Sequence, residues 1–299
     1  MSATRPTIGF VGLGAMGWPM ASNLVKAGFP VVVLDARAEE AARFAQEVGG
    51  KAAAPKALGE ASDFVVTMLP TSKIVDAVLL GVDGVASGLR RGTTVIEMSS
   101  GVPTETKEIA RKLEERGIDL IDAPVSGGVK KAGSGELAIM VGGSEASLER
   151  ARPVLQAMGT SIIRAGEVGA GQAMKAFNNL VSAGGFLIGI EALCVGKKFG
   201  LSPEVMVDIL NASTGMNNST KVKFKQFVLS GSYGSGFALD LMVKDIGIAM
   251  EVARDLQVEV PFSTLCQSIW SDAQSDLGKG HDHTEVAKHA AKTAGVPLN

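Results

Sequence analysis

Short apolar runs recur along the first half of the chain, at Thr7 to Val11, Val31 to Leu34, Phe64 to Met68, Thr94 to Met98, Ile118 to Asp122, Leu137 to Val141 and Ser161 to Arg164. Each has the length and β-branched content of a strand buried on both faces. Between them, Met16 to Ala27, Ala38 to Val48, Ser72 to Leu80 and Pro103 to Arg116 have helical composition. Gly28, Gly49, Gly81 and Gly117 stand where such helices stop. Alternation of strand and helix predicts an α/β, doubly wound, mostly parallel sheet with helices on both faces.

After Gly166 the texture changes. The stretch from Gly166 to Gly200 reads as one long helix, weakened only at Gly184-Gly185 and Gly189, and helical patterns follow at Pro203 to Asn211, Leu239 to Leu256, Pro261 to Gln274 and His283 to Thr293. Leu229 to Gly236 is a Ser/Gly-rich loop. These patterns predict two domains, a sheet domain over 1–166 and an all-helical domain over 167–299 that opens with the long bridging helix. A length of 299 residues agrees with two domains, and a 46% hydrophobic content suffices for two cores.

Charge and cysteine content narrow the partners. A net charge of −2 from 29 basic and 31 acidic residues leaves no electrostatic footprint for nucleic acid or an anionic membrane surface. No uninterrupted run of 18 apolar residues occurs, so neither a membrane span nor a leader is expected. Cys194 and Cys266 lie far apart in apolar helical pattern, which reads as two buried free thiols in a reducing compartment. The expected location is cytoplasmic.

The chemistry begins in the first strand-to-helix turn, where Gly12-x-Gly14-x-x-Gly17 follows the Thr7 to Val11 run. Gly12 permits the tight bend, Gly14 lets phosphates approach the main chain, and Gly17 allows close packing of helix on strand. Free N–H groups and the positive end of the helix dipole then face an anion. With 37 glycines, the pattern alone is weak. Asp35, closing the next apolar run about 20 residues on, strengthens it as a ribose-hydroxyl acceptor. The expected contacts are Gly12, Leu13, Gly14, Ala15, Met16, Gly17 and Asp35, with Leu69, Pro70 and Ser100 at the C-terminal ends of later strands. Asp35 favours NAD because a carboxylate repels a 2′-phosphate, while Arg37 leaves NADP open.

In the helical half, Lys175 and Asn179 are i and i+4 on one helix face amid Met174, Phe177, Leu180 and Val181. Such a pair could aim a proton donor and an amide at one bound oxygen, and a desolvated lysine suits acid/base exchange with an alcohol or carbonyl. On residue chemistry alone, a snorkelling lysine beside a helix-end asparagine fits equally well.

Four segments in order resemble the β-hydroxyacid dehydrogenase family: Phe10 to Gly28, Asp122 to Gly128 (DAPVSGG), Gly171 to Asn179 and Phe237 to Asp245. Together they cover essentially the whole chain. The resemblance implies a Rossmann domain binding NAD(P), followed by a helical substrate domain. It implies a substrate carboxylate held by Ser126 and the amides of Gly127 and Gly128, Lys175 as general acid/base, Asn179 orienting the substrate, and Lys244 reaching cofactor and substrate. The family usually has threonine where this chain has Ser100, which keeps the hydroxyl. The implied reaction is hydride transfer between a small 3-hydroxy acid and its semialdehyde or keto form.

Rival readings are an imine reductase, which shares the architecture but usually carries another residue in place of Lys175, and a non-catalytic nucleotide-binding module, which would lack the lysine. Substrate selectivity is expected from Met216, Asn217, Asn218 and Phe237. His281-Asp282-His283 has metal-ligand types, yet a capped helix start explains it more simply, and no metal is expected. The Lys221, Lys223, Lys225 run is read as a solvated face. Apolar Phe186, Leu187 and Ile190 on the long helix predict a homodimer or homotetramer.

Overall fold

The computed structural model describes residues 5–298. The chain divides into two compact units, one ending at Lys175 and the other beginning at Ala176.

The first unit is built on one sheet of nine strands: β1 (Ile8–Val11), β2 (Val31–Leu34), β3 (Lys51–Ala52), β4 (Phe64–Thr67), β5 (Thr94–Glu97), β6 (Asp119–Asp122), β7 (Val125–Ser126), β8 (Leu137–Gly142) and β9 (Gly159–Gly166). Their order is β3-β2-β1-β4-β5-β6-β8-β7, with β9 on β8. Pairing from β3 to β6 is parallel, whereas β8 runs antiparallel to β6 and β7. The registers explain the unbroken apolar runs. Phe10 lies between Val33 and Val66 on one face, while Val11, Val65 and Val95 belong to a second core on the other. Helices cover both cores, so β1 and β5 are buried at every position and β2, β4 and β6 at all but one, and strict alternation is absent there.

The connecting helices are α1 (Gly17–Lys26), α2 (Ala38–Glu47), α3 (Pro55–Ala61), α4 (Ser72–Leu80), α5 (Pro103–Glu114), α6 (Gly128–Ser134) and α7 (Glu145–Gln156). Four of them match the predicted stretches within two residues. The short α3 and α6, and the two-residue strands β3 and β7, carry too little periodicity to be read from sequence. The twelve-residue α7 is masked by the internal Pro153, although Ser144 caps it by accepting from the Ser147 N–H.

The long helix α8 (Ala170–Phe199) begins within the first unit and continues into the second. Its glycines are contact points rather than breaks. A Cβ on Gly189 would lie 2.6 Å from the Phe224 ring, and one on Gly185 3.4 Å from Asn217. Around it stand α9 (Pro203–Asn211), a π-helical segment (Ser219–Leu229), α10 (Leu239–Asp255), α11 (Pro261–Leu277) and α12 (Val286–Ala294). The core of this unit joins Phe186 and Ile190 to Phe224, Met242, Ile246 and Trp270. Burying each aromatic ring contributes on the order of 2 kcal/mol.

Two expectations need correction here. Phe186, Leu187 and Ile190 are buried in this core, so they cannot supply an apolar surface for another subunit. The exposed apolar residues of α8 are instead Met174, Phe177, Val181, Ile188, Val195 and Phe199. Helix α8 is also long and apolar enough to cross a membrane by length and composition, but 56% of its most apolar window is buried, as in a core helix. Finally, Lys221 and Lys225 are exposed, yet Lys223 is half-buried and donates to Ser182 Oγ at 3.3 Å.

Candidate active site

The C-terminal ends of β2, β1, β4 and β5 lie side by side, and the predicted cofactor residues follow directly from them. Gly12 to Met16 form the turn from β1 into α1, Asp35 and Arg37 follow β2, Leu69 and Pro70 follow β4, and Ser100 follows β5. In a parallel sheet this edge collects ligands because successive strand ends open into loops on the same side.

The glycine turn fits a pyrophosphate. A Cβ on Gly12 would lie 2.3 Å from the Met68 carbonyl oxygen, and one on Gly17 1.8 Å from the Gly12 carbonyl oxygen, so both sites exclude a side chain. At Gly14 a Cβ would meet no atom within 4 Å. The turn is thus packed against the chain at its two ends and open at its middle, where the main chain can be approached closely.

Asp35 ties this turn down. Its Oδ2 accepts the Leu13 N–H at 2.7 Å, and its Oδ1 accepts the Arg37 N–H at 3.0 Å. Each carboxylate oxygen has a second lone pair, which leaves capacity for ribose hydroxyls. The exposed Arg37 guanidinium lies 3.6 Å from Asp35 Oδ1. At the β4 and β5 ends Ser99, next to Ser100, fixes the loop by accepting the Leu69 N–H at 2.9 Å.

Ser126 ends β7, opposite Ala138 of β8. Gly127 and Gly128 follow with φ of 138° and 68°, a conformation that L side chains resist. Successive main-chain amides in turns of suitable conformation can bind an anion.

Sequence reasoning missed the polar joint that anchors the start of α8. Asp122 Oδ1 accepts the Gly169 N–H at 2.7 Å, and Oδ2 accepts the Gln172 N–H at 2.8 Å. The Gln172 amide in turn donates to Glu97 Oε2 and to the Ser99 carbonyl, and its oxygen accepts the Gly101 N–H at 2.8 Å. Burial raises both carboxyls, taking Glu97 to about 7 despite the opposing hydrogen bonds from Ser99. The available signal was an acidic residue at the C-terminal end of each of two neighbouring strands, β5 and β6. Lys175, only 8% exposed, lies three residues beyond Gln172 on the same helix.

In the second unit, buried Asn179 donates from Nδ2 to Asp245 Oδ2 at 2.6 Å. The other oxygen of Asp245 lies 3.5 Å from Lys244 Nζ. Asp245 therefore connects two of the predicted substrate residues, Asn179 and Lys244.

Asp282 is a cap. It accepts from Thr284 N–H at 2.9 Å and from Ser235 Oγ and the Gly236 N–H, each at 2.9 Å. His281 and His289 face Glu285 and Asp276, respectively. Among the described residues no group of three His, Cys, Asp or Glu side chains could hold a metal ion.

A doubly wound sheet carrying this glycine turn and strand-end carboxylate defines a dinucleotide-binding oxidoreductase of the Rossmann type. Residues 7–166 match the NAD binding domain of 6-phosphogluconate dehydrogenase, and residues 169–290 match the NAD-binding region of NADP-dependent 3-hydroxyisobutyrate dehydrogenase. A 2-(hydroxymethyl)glutarate dehydrogenase of Eubacterium barkeri is 39% identical over 98% of this chain and 97% of its own. The structure of Mycobacterium tuberculosis 3-hydroxyisobutyrate dehydrogenase with L-serine is 34% identical and superposes with a TM-score of 0.87, covering 95% of this chain and 99% of that one. The chain belongs to the β-hydroxyacid dehydrogenase family. An imine reductase from Myxococcus stipitatus, at 19% identity and a TM-score of 0.63 over 96% of this chain and 99% of its own, shares the fold alone.

Proposed function

We propose that this chain is an NAD-dependent 3-hydroxyacid dehydrogenase in which Lys175 is the general acid/base. The observation that carries the reading is a lysine shielded from solvent on α8, one turn before an asparagine held by Asp245. An imine reductase has no need of that lysine, and neither has a nucleotide-sensing module.

When bound, the nicotinamide ring supplies the hydride acceptor or donor. Ser126 and the Gly127 and Gly128 amides hold the substrate carboxylate. The neutral Lys175 amine removes the hydroxyl proton as the alcohol is oxidised; in reverse, its ammonium protonates the forming alkoxide. Asn179 and Lys244, both fixed through Asp245, orient the substrate. Asp35 selects NAD over NADP through the ribose hydroxyls. We assign residues 1–166 to cofactor binding and 167–299 to substrate binding and oligomerisation.

We further propose a cytoplasmic homodimer or homotetramer. Support comes from Val181, Ile188 and Val195, which repeat at seven-residue spacing and leave an apolar stripe along α8 facing solvent. Light scattering coupled to size-exclusion chromatography tests this, and a monodisperse monomer refutes it.

The central test is Lys175→Ala. It should reduce kcat by ~10²- to 10⁴-fold, the usual contribution of general acid/base catalysis. NADH binding, read by fluorescence titration, should stay close to wild type. Unchanged turnover on a good hydroxy acid overturns the assignment.

A further inference from the structure

Lys223 is the one residue of its lysine run that turns inward, and the catalytic reading above gives it no task. It stands on the π-helical segment Ser219–Leu229, between buried Thr220 and Phe224 on one side and α8 on the other. Asn217, just upstream, donates from Nδ2 to the Gly185 carbonyl at 3.2 Å, so this segment runs along the Ser182 to Gly185 turn of α8. Among the described residues the Lys223 ammonium has a single hydrogen-bond partner, Ser182 Oγ, and no ion-pair partner within 4 Å.

The acid that influences it is Asp282, whose carboxylate is engaged by Ser235, Gly236, Phe237 and Thr284. Loss of solvent outweighs that acid and brings the Lys223 amine down to about 8. A three-donor ammonium with one neutral partner in a half-buried place is an expensive arrangement unless an anion completes it.

Its position says which anion. Lys175, Asn179 and Ser182 are i, i+4 and i+7 on α8 and so share one face, with about 10 Å of rise from first to last. A substrate served at its carbinol carbon by the first two residues and extending along this face toward the third would meet Lys223, whose Nζ lies 3.3 Å from Ser182 Oγ.

We propose that Lys223 binds an anionic group at the end of the substrate distal to the reacting carbinol, so that this enzyme acts on small hydroxy acids bearing a second carboxylate. The inference rests on the general 3-hydroxyacid reading and deepens it by naming a substrate class. Ser182 holds the ammonium in place between turnovers, and its hydroxyl can bond the incoming carboxylate as well.

The test compares a 3-hydroxy acid ending in a carboxylate with the same compound ending in a primary amide, using wild type, Lys223→Met and Lys223→Arg. Wild type should prefer the dicarboxylate, chiefly through KM. That preference should fall by about tenfold to a hundredfold in Lys223→Met, the range for losing one charge-assisted hydrogen bond, and be largely restored in Lys223→Arg. Equal losses on both substrates in Lys223→Met, or a wild type that does not discriminate, overturn the proposal.

A binding arm separates this idea from the catalytic one. In the presence of NAD, glutarate should bind more tightly than its monoamide by calorimetry, and Lys223→Met should abolish the difference. Lys223-dependent glutarate binding without turnover of any hydroxy acid leaves the distal site standing and removes the dehydrogenase reading. Turnover of hydroxy acids with glutarate and its monoamide bound equally does the reverse.

Discussion

Two glycines of the same turn should respond to a single methyl group in opposite ways. At Gly17 the added Cβ would stand 1.8 Å from the Gly12 carbonyl oxygen and 3.2 Å from the Phe10 ring. Both neighbours belong to the core-facing side of the turn, so the main chain itself must move. Gly17→Ala should therefore destabilise the protein by about 1–3 kcal/mol, the usual range for overpacking, and lower Tm by several degrees. At Gly14 the methyl meets nothing within 4 Å, so Gly14→Ala should leave stability within about 0.5 kcal/mol of wild type. The same methyl, however, occupies the opening through which phosphate oxygens would reach the main-chain N–H groups. Losing one charge-assisted hydrogen bond of about 1.5–3 kcal/mol weakens NADH binding roughly ten- to a hundredfold. Thermal unfolding and NADH fluorescence titration of the two variants give both quantities. Wild-type NADH affinity in Gly14→Ala refutes the pyrophosphate assignment, and wild-type stability in Gly17→Ala refutes the packing argument.

Other outcomes follow from the remaining site residues. Asp35→Ala should weaken NAD more than NADP in parallel titrations, because the ribose acceptor and the repulsion of a 2′-phosphate disappear together; equal losses remove the ribose argument. Glu97 binds its proton more tightly in the folded chain, at about 7 against 4.5 unfolded, because burial penalises the carboxylate. Its contribution is therefore most favourable below the unfolded value and declines as pH rises through about 4.5 to 7, by a total of about 3 kcal/mol. Urea unfolding at pH 5 and pH 8 should show that decline in wild type and a flatter response in Glu97→Gln; parallel pH profiles contradict it. Asp282 behaves oppositely: burial alone would raise its carboxyl, but hydrogen bonds from His283, Thr284 and Ser235 hold it well below the usual range. Its stabilisation is present above the ordinary aspartate value and fades as pH falls, so Asp282→Asn should be destabilised at pH 7 and lose less than wild type on acidification to pH 3. Burial pushes the Cys266 thiol up to about 11, and Cys194 is also raised. Iodoacetamide should label neither at pH 7.5 before unfolding, as mass spectrometry can determine.

The parallel sheet was legible because its strands are buried on both faces, which leaves unbroken apolar runs such as Val31 to Leu34. The glycine turn was legible because its constraints are local: each glycine answers to atoms within a few residues or to the adjoining strand. The joint at Gln172 was not, since Glu97 and Asp122 lie 75 and 50 residues away from it in sequence and look like ordinary strand-end polar residues. Lys223 was misread for another reason. Lysines at alternate positions suggest a solvated face, but the π-helical pairing of Ser219–Leu229 changes which side chains point inward, and no propensity marks such a turn in advance. The oligomer expectation failed in its residues because a helix apolar on several faces does not announce which face its own domain covers. Phe186 and Ile190 went to the core, while Val181 and Ile188 stayed outside.

The grip on Gln172 also governs what lengths of chain can be exchanged. Strand-end carboxylates hold the first turn of α8 at Gly169 and Gln172, and every residue beyond it inherits that phase. Inserting or deleting one residue between Gln172 and Lys175 would turn Lys175 and Asn179 through about 100° relative to the anchor. Loops such as 230–236 can lengthen without such consequences. The stretch between Gln172 and Lys175 is therefore where the chain should tolerate a change in length poorly, even one that preserves every helix-forming residue.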